Sequence, residues 1–174
     1  MNTATKLTLL RVVLIPIFLI VLYWCFPFAN WVALAIFIIA SVTDFADGYI
    51  ARHYNQVTDF GKFMDPLADK MLTMAAMCWF VQNGEMWGWV LALVLLREFA
   101  VSGMRLVAVE QGKVIAAAWS GKIKTASTMV CICLMLAFDA GWLDMLSQIV
   151  ILVTTLYSGC EYFVKNKEDF FNVK

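Results

Sequence analysis

The stretch from Asp44 to Lys70 reads DFADGYIARHYNQVTDFGKFMDPLADK, and it lies between two strongly apolar segments. Asp44 and Asp47 are three residues apart, and Asp65 and Asp69 are four apart. Residues at these spacings lie on one face of a helix, with their Cβ atoms about 5–6 Å apart. The sequence therefore predicts two carboxylate pairs, one on each of two successive helices, that together form a cage.

Carboxylates this close repel each other unless they are protonated or share cations. A site made of hard oxygen ligands suits Mg²⁺, Mn²⁺ or Ca²⁺ rather than zinc. We therefore predict a bound divalent metal. The alternative is that the acids cap helix ends or pair with Arg52, Lys62 and Lys70 at a membrane interface.

Small residues follow the first aspartate pair. Gly48 and Ala51 lie one helical turn beyond it, so a ligand could approach the backbone there. Arg52 follows on the same side, where its guanidinium is suited to binding a phosphate.

The composition indicates a membrane protein. The chain has 174 residues, of which 63% are hydrophobic and 15% are charged. It is too apolar for a soluble protein and too short for two ordinary domains, so we expect a single domain over residues 1–174. The formal net charge is zero and gives no indication of a nucleic-acid partner.

Six apolar segments predict an all-α protein with six transmembrane helices. A span needs about 20 residues, so the second helix must continue through the first aspartate pair. The third begins at residue 59 or 61, and Pro66 lies in its first turns or marks a bend. The expected helices cover residues 7–26, 31–54, 59–82, 87–107, 121–138 and 143–163.

The distribution of basic residues predicts the orientation. None of the thirteen lysines and arginines lies in the connections near residues 27–30, 83–86 and 139–142. Since cytoplasmic loops carry the excess of Lys and Arg, both termini and the aspartate motif are expected on the cytoplasmic side.

Arg97 and Glu98 lie within the expected membrane thickness, where charges are costly unless they are paired or line a wet cavity. Arg105 lies a little over two turns further on, and Lys122 and Lys124 are expected at the same cytoplasmic level. One interpretation pairs Arg97 with Glu98 or another acid. Beside the aspartate motif, we favour a basic pocket for an anionic acceptor.

Arg11, in KLTLLR, is expected either to anchor the first helix or to contact a head group.

The aspartate motif resembles the signature of the CDP-alcohol phosphatidyltransferases: DxxDGxxAR, eight residues, then GxxxDxxxD. The matching positions are Asp44, Asp47, Gly48, Ala51, Arg52, Gly61, Asp65 and Asp69. LTLLR, REFAVSGMR and GKIKT look most like the branch of the family that makes phosphatidylglycerophosphate. One departure is NTATKLT at the start, where that branch usually has Asn-x-Pro-Asn before Leu-Thr.

The resemblance implies six membrane helices, usually a homodimer, in a bacterial cytoplasmic (inner) membrane. It implies transfer of a phosphatidyl group from CDP-diacylglycerol to sn-glycerol 3-phosphate, with release of CMP. Two Mg²⁺ or Mn²⁺ ions are expected on the aspartates, although four carboxylates alone could hold one ion. Asp69 is expected to be the general base.

Binding roles follow from the same resemblance and from the basic pocket. The expected CDP-binding residues are Asp47, Gly48, Ala51, Arg52, Gly61 and Asp65. The expected glycerol phosphate-binding residues are Arg97, Arg105, Lys122 and Lys124.

Two alternatives stay open at this point. The first is the same reaction with another acceptor, such as inositol phosphate, serine or phosphatidylglycerol. The basic pocket disfavours serine and other acceptors without a net negative charge. The second is a small cation transporter or channel that uses intramembrane acids as its ion path. The acids lie at one cytoplasmic end beside small residues and an arginine, which argues against a path across the membrane.

Overall fold

A computed structural model describes residues 3–24, 26–53, 59–110 and 118–171, with side chains described over 9–24, 26–43, 70–108 and 118–165. The described residues form six α-helices and no strand, which confirms the all-α prediction. The helices are α1 (Thr3–Tyr23), α2 (Ala29–His53), α3 (Asp59–Gln82), α4 (Gly88–Glu110), α5 (Trp119–Ala137) and α6 (Gly141–Phe171).

Most helix bounds lie within three residues of the predicted ones, but α1 begins at Thr3, four residues earlier than predicted. As expected, α2 continues through the first aspartate pair to His53, and α3 continues through Pro66 without interruption. However, α6 extends beyond residue 163 to Phe171. An ion pair between Glu161 and Lys165, one turn apart, stabilises the helix past its apolar part.

Two helical stretches in the described part of the chain are long and apolar enough to cross a membrane, namely Trp119–Ala137 and Gly141–Lys165. Two further apolar stretches, Leu9–Tyr23 and Ala29–Thr43, are shorter. By the length and apolar composition of the described helices, two of the six predicted transmembrane helices are therefore supported.

The chain forms two compact units. The first comprises Met1–Phe80 and Ile132–Asp139, and the second comprises Val81–Cys131 and Ala140–Lys174. Each unit contains part of α5, and both aspartate pairs belong to the first unit. The single domain expected over residues 1–174 stays a prediction.

In the first unit, α1 and α2 form an antiparallel pair. The rings of Phe18 and Phe37 are both fully buried, and their centroids are 6.1 Å apart. Ala33 and Ala40 are also fully buried and lie two turns apart on α2, where small side chains allow the helices to approach closely. At the C-terminal end of α1, the ring of Tyr23 meets the ring of Trp79 of α3 edge to face, with their centroids 4.8 Å apart.

In the second unit, α4 and α6 run parallel and are joined by polar contacts at three levels. The two residues of each contact are 61, 61 and 57 positions apart in the sequence, so the register between the helices is nearly constant. The contacts join Trp87 N to Gln148 Oε1 at 2.8 Å, Arg97 Nη2 to Ser158 Oγ at 2.7 Å, and Arg105 Nε to the Tyr162 hydroxyl at 2.9 Å.

Gln148 holds the connection that precedes α4. Its amide nitrogen donates to the carbonyl oxygens of Glu85, at 2.9 Å, and Asp144, at 3.2 Å, while its oxygen accepts from the Trp87 N–H. The Gln148 side chain is buried, and its hydrogen bonds to Glu85 and Trp87 tie this connection to α6.

Replacing Gln148 with Leu keeps the size of the side chain and removes all three hydrogen bonds. Because the hydrogen bonds that tie the connection at Glu85 and Trp87 to α6 are lost, we expect the variant to lose about 2 kcal/mol of unfolding free energy. Thermal unfolding in detergent measures this loss. Gln82→Leu, an exposed position at the end of α3, is the matched control. Equal stability of the two variants would contradict this role for Gln148.

Candidate active site

The aspartate motif lies on helical backbone throughout both of its pairs. Asp44 and Asp47 belong to α2, and Asp65 and Asp69 belong to α3. Their spacings of three and four residues therefore fall on helices, as the prediction requires. Because the side chains of residues 44–69 lie outside the described part, the carboxylate cage stays a prediction.

The residues predicted to bind the nucleotide lie in the same part of the chain. Gly48, Ala51 and Arg52 lie on α2 and Gly61 lies on α3, but their side chains and surroundings fall in the same undescribed range. Among the side chains that are described, no three His, Cys, Asp or Glu residues come together as a metal site. The donor set of the motif is entirely oxygen, which fits Mg²⁺ or Mn²⁺.

Glu98 of α4 lies at the centre of a buried polar cluster in the second unit. Its Oε1 atom accepts from Arg97 Nη1 at 2.8 Å and from Lys124 Nζ at 2.7 Å. Glu98 and Lys124 are 8% and 5% exposed. The pairing of Arg97 with Glu98, which the sequence analysis gave as the alternative to a basic pocket, is thus present. Two cations and one carboxylate give these three side chains a net charge of +1.

Two glycines make room for the Arg97 side chain. A Cβ atom on Gly121 would lie 3.4 Å from Arg97 Nη2, and one on Gly159 would lie 3.4 Å from Arg97 Cγ. Both distances are at the close limit of ordinary contact, so larger side chains there would push the guanidinium away from Ser158. Gly121 opens the GKIKT segment, and its absence of a side chain lets α5 pack beside Arg97.

Arg105 is held at the surface by an aromatic residue. Its Nε–H donates to the Tyr162 hydroxyl, and its guanidinium carbon lies 5.5 Å from the centre of the same ring. Tyr162 itself is buried against Val101 and Met104. A guanidinium has five N–H donors, so the contact with Tyr162 fixes the arginine while leaving donors for an anion.

Lys122 is exposed, and its ammonium lies 4.9 Å from the centre of the Trp119 ring. Among the ion pairs formed by the described residues, none involves Lys122 or Arg105. The four predicted phosphate ligands therefore fall into two kinds. Arg97 and Lys124 are bound together through Glu98, whereas Arg105 and Lys122 are exposed and rest on aromatic rings.

Residues of α6 that we did not predict from the sequence contact Arg97 and Arg105. Ser158, Gly159 and Tyr162 lie within four positions of one another and so fall near one face of the helix. Two adjacent small residues, Ser158 and Gly159, were the sequence signal for this contact, since small residues often mark close helix contacts.

A family model described as CDP-alcohol phosphatidyltransferase matches residues 1–157. That match covers most of the chain, which therefore belongs to the CDP-alcohol phosphatidyltransferase family. The eight motif positions on α2 and α3 lie within the matched region.

Relatives from several bacteria align with nearly the whole chain. A Bacillus subtilis protein is 40% identical over 96% of this chain and 96% of its own length, and it is named CDP-diacylglycerol–glycerol-3-phosphate 3-phosphatidyltransferase. A Salmonella paratyphi A protein with the same name is 39% identical over 97% of this chain and 96% of its own. A Mycobacterium tuberculosis relative, named a probable phosphatidylglycerophosphate synthase, is 38% identical over 97% of this chain and 83% of its own.

Glu98→Gln tests the buried cluster. The change leaves Arg97 and Lys124 close together without the carboxylate, and breaking a buried ion pair costs about 3–5 kcal/mol. We expect a large fall in the unfolding midpoint in detergent. Glu161→Gln is the control, because it removes the partner of Lys165 from an exposed pair and should change the midpoint little. Similar midpoints for the two variants would argue against the buried network.

Proposed function

We propose that this chain transfers the phosphatidyl group of CDP-diacylglycerol to sn-glycerol 3-phosphate, giving phosphatidylglycerophosphate and CMP. The observation that carries the proposal is the alignment of relatives bearing this activity in their names over 96–97% of the chain. The described basic cluster supports it, since the acceptor is an anion.

The proposed metal ligands are Asp44, Asp47, Asp65 and Asp69, holding two Mg²⁺ or Mn²⁺ ions. When bound, such ions neutralise charge on the donor pyrophosphate and on the leaving CMP. Helical backbone at all four positions, in one compact unit, supports this assignment.

The chain's own residues then bind and orient the two substrates. Asp47, Gly48, Ala51, Arg52, Gly61 and Asp65 are the proposed contacts of the CDP group. Asp69 takes the proton from the acceptor hydroxyl as that oxygen attacks the phosphorus, and the bond from phosphorus to the CMP oxygen breaks.

The acceptor phosphate is bound mainly by Arg105 and Lys122. Both are exposed, both are fixed by an aromatic ring, and neither forms an ion pair within the described chain. Arg97 and Lys124 contribute through the surplus positive charge of the cluster around Glu98, which attracts an anion without requiring direct contact.

The proposed setting is a bacterial cytoplasmic membrane, with six helices crossing it, both termini in the cytoplasm and two chains in a homodimer. The two long apolar stretches of the described chain and the distribution of basic residues support the orientation. In this arrangement the acyl chains of the donor stay in the bilayer while its nucleotide reaches the site, so no lipid leaves the membrane.

An acceptor screen tests the reaction. Purified protein in detergent receives labelled CDP-diacylglycerol with glycerol 3-phosphate, inositol phosphate, serine or phosphatidylglycerol. We expect release of CMP with glycerol 3-phosphate alone, and only while a divalent metal is present. Turnover that survives exhaustive chelation, or that prefers another acceptor, would refute the proposal. Metal flux into liposomes without turnover would indicate a transporter instead.

Arg105→Ala tests the acceptor contact. Loss of a charge-assisted hydrogen bond costs about 1.5–3 kcal/mol, so KM for glycerol 3-phosphate should rise by about 10- to 100-fold. KM for CDP-diacylglycerol should be unchanged. Lys165→Ala, which removes an exposed cation on α6, serves as the control and should leave both constants alone. An equal rise in both constants for Arg105→Ala would exclude a specific role in binding the acceptor.

A further inference from the structure

Arg11 of α1 is completely buried, with 0% of its surface exposed. A guanidinium that anchors a helix at the membrane surface keeps its charged end in water, which this one does not. Burial of a charge is strongly unfavourable unless an opposite charge compensates it. The acidic residues of the first compact unit, to which α1 belongs, are the candidates for this opposite charge.

The sequence limits the choice of carboxylate. The first unit contains six acidic residues, all aspartates: Asp44, Asp47, Asp59, Asp65, Asp69 and Asp139. Asp139 lines a cavity together with Leu22 and Phe26, at the far end of α1. Because an α-helix rises about 1.5 Å per residue, Leu22 is about 16 Å along the axis from Arg11. Asp139 is therefore out of reach.

The packing of α1 against α2 shows which residue of α2 lies at the same height along the helix axes as Arg11. We call this height the level of Arg11. Phe18 faces Phe37 across this antiparallel pair, with centroids 6.1 Å apart. Each step back along α1 corresponds to one step forward along α2, because both helices have the same rise. Seven steps back from Phe18 reach Arg11, and seven steps forward from Phe37 reach Asp44.

A second contact gives the same level independently. Tyr23 meets Trp79 of α3, and short connections make α3 parallel to α1. Twelve steps back from Tyr23 reach Arg11, and twelve steps back from Trp79 reach residue 67, midway between Asp65 and Asp69. Both registers place Arg11 at the level of the aspartate motif.

We propose that Arg11 is the buried counter-charge of the aspartate motif, paired with Asp44, and that it is a positioning residue for the site. A guanidinium offers a planar set of donors that can hold a carboxylate in one orientation. It also offsets part of the repulsion among the aspartates before any cation binds. The pairing itself needs no assumption about the reaction, whereas its effect on transfer rests on the proposed function.

A double-mutant cycle on metal-free protein tests the pairing. Arg11→Gln, purified in detergent with EDTA, should lower the thermal unfolding midpoint by about 10 °C. In an Asp44→Asn background the same change should cost less than half as much, because the pair is already broken. An equal cost in both backgrounds would overturn the proposal.

A control cycle pairs Arg11→Gln with Asp139→Asn. These two changes should be additive, because Asp139 belongs to the opposite end of α1; coupling as strong as that with Asp44 would overturn the register on which the proposal rests. If Arg11→Gln alone yields no folded protein, Arg11→Gln/Asp44→Asn should restore folding. Failure of that double variant to fold, while Asp44→Asn folds alone, would also refute the pairing.

Kinetics separate positioning from a general loss of structure. Arg11→Gln should lower kcat at least 10-fold while leaving KM for glycerol 3-phosphate unchanged, and Arg11→Lys should recover part of kcat because it restores the charge. A rise in KM with kcat intact would contradict a role at the aspartates. If wild-type protein released no CMP from CDP-diacylglycerol, the proposed reaction would fail, but the unfolding cycle would still decide the pairing.

Discussion

Glu98 receives two cations inside a chain that is 63% hydrophobic, and Arg11 is buried without access to water. Such charges are stable only where an opposite charge lies beside them, because the surroundings screen weakly. This requirement explains why Arg97 and Lys124 both lie against Glu98. Gly121 of α5 and Gly159 of α6 lie beside Arg97 in this network.

The two compact units carry different charged groups. The second unit surrounds one carboxylate with two cations and adds two exposed cations supported by aromatic rings. The first contains the motif of four aspartates, on α2 and α3. An excess of carboxylates suits metal ions and an excess of cations suits a phosphate. A transferase that joins a nucleotide-linked lipid to a phosphorylated alcohol needs both kinds of group.

The helices could be predicted from the sequence, but the contacts between them could not. The length needed to span a bilayer required α2 to continue through Asp44, and the structure confirms it. For Arg97 we favoured a basic pocket over a pairing with Glu98, and the pairing is present, because periodicity shows which residues share a helix face but not which helix lies opposite. Ser158 and Tyr162 were missed for the same reason, since they meet α4 across about 60 positions of sequence. The burial of Lys124 beside the exposure of Lys122 likewise depends on tertiary packing.

Binding of Mn²⁺ to purified protein, followed by electron paramagnetic resonance, tests most directly whether the aspartates hold catalytic cations. The account predicts that wild-type protein binds Mn²⁺ in the absence of substrate and that CMP changes the spectrum of the bound ion. Replacing Asp44, Asp47, Asp65 and Asp69 with Asn should abolish binding, whereas replacing Asp139 should not. Binding that is unaffected by loss of the four aspartates, or that is absent from active wild-type protein, would contradict the account.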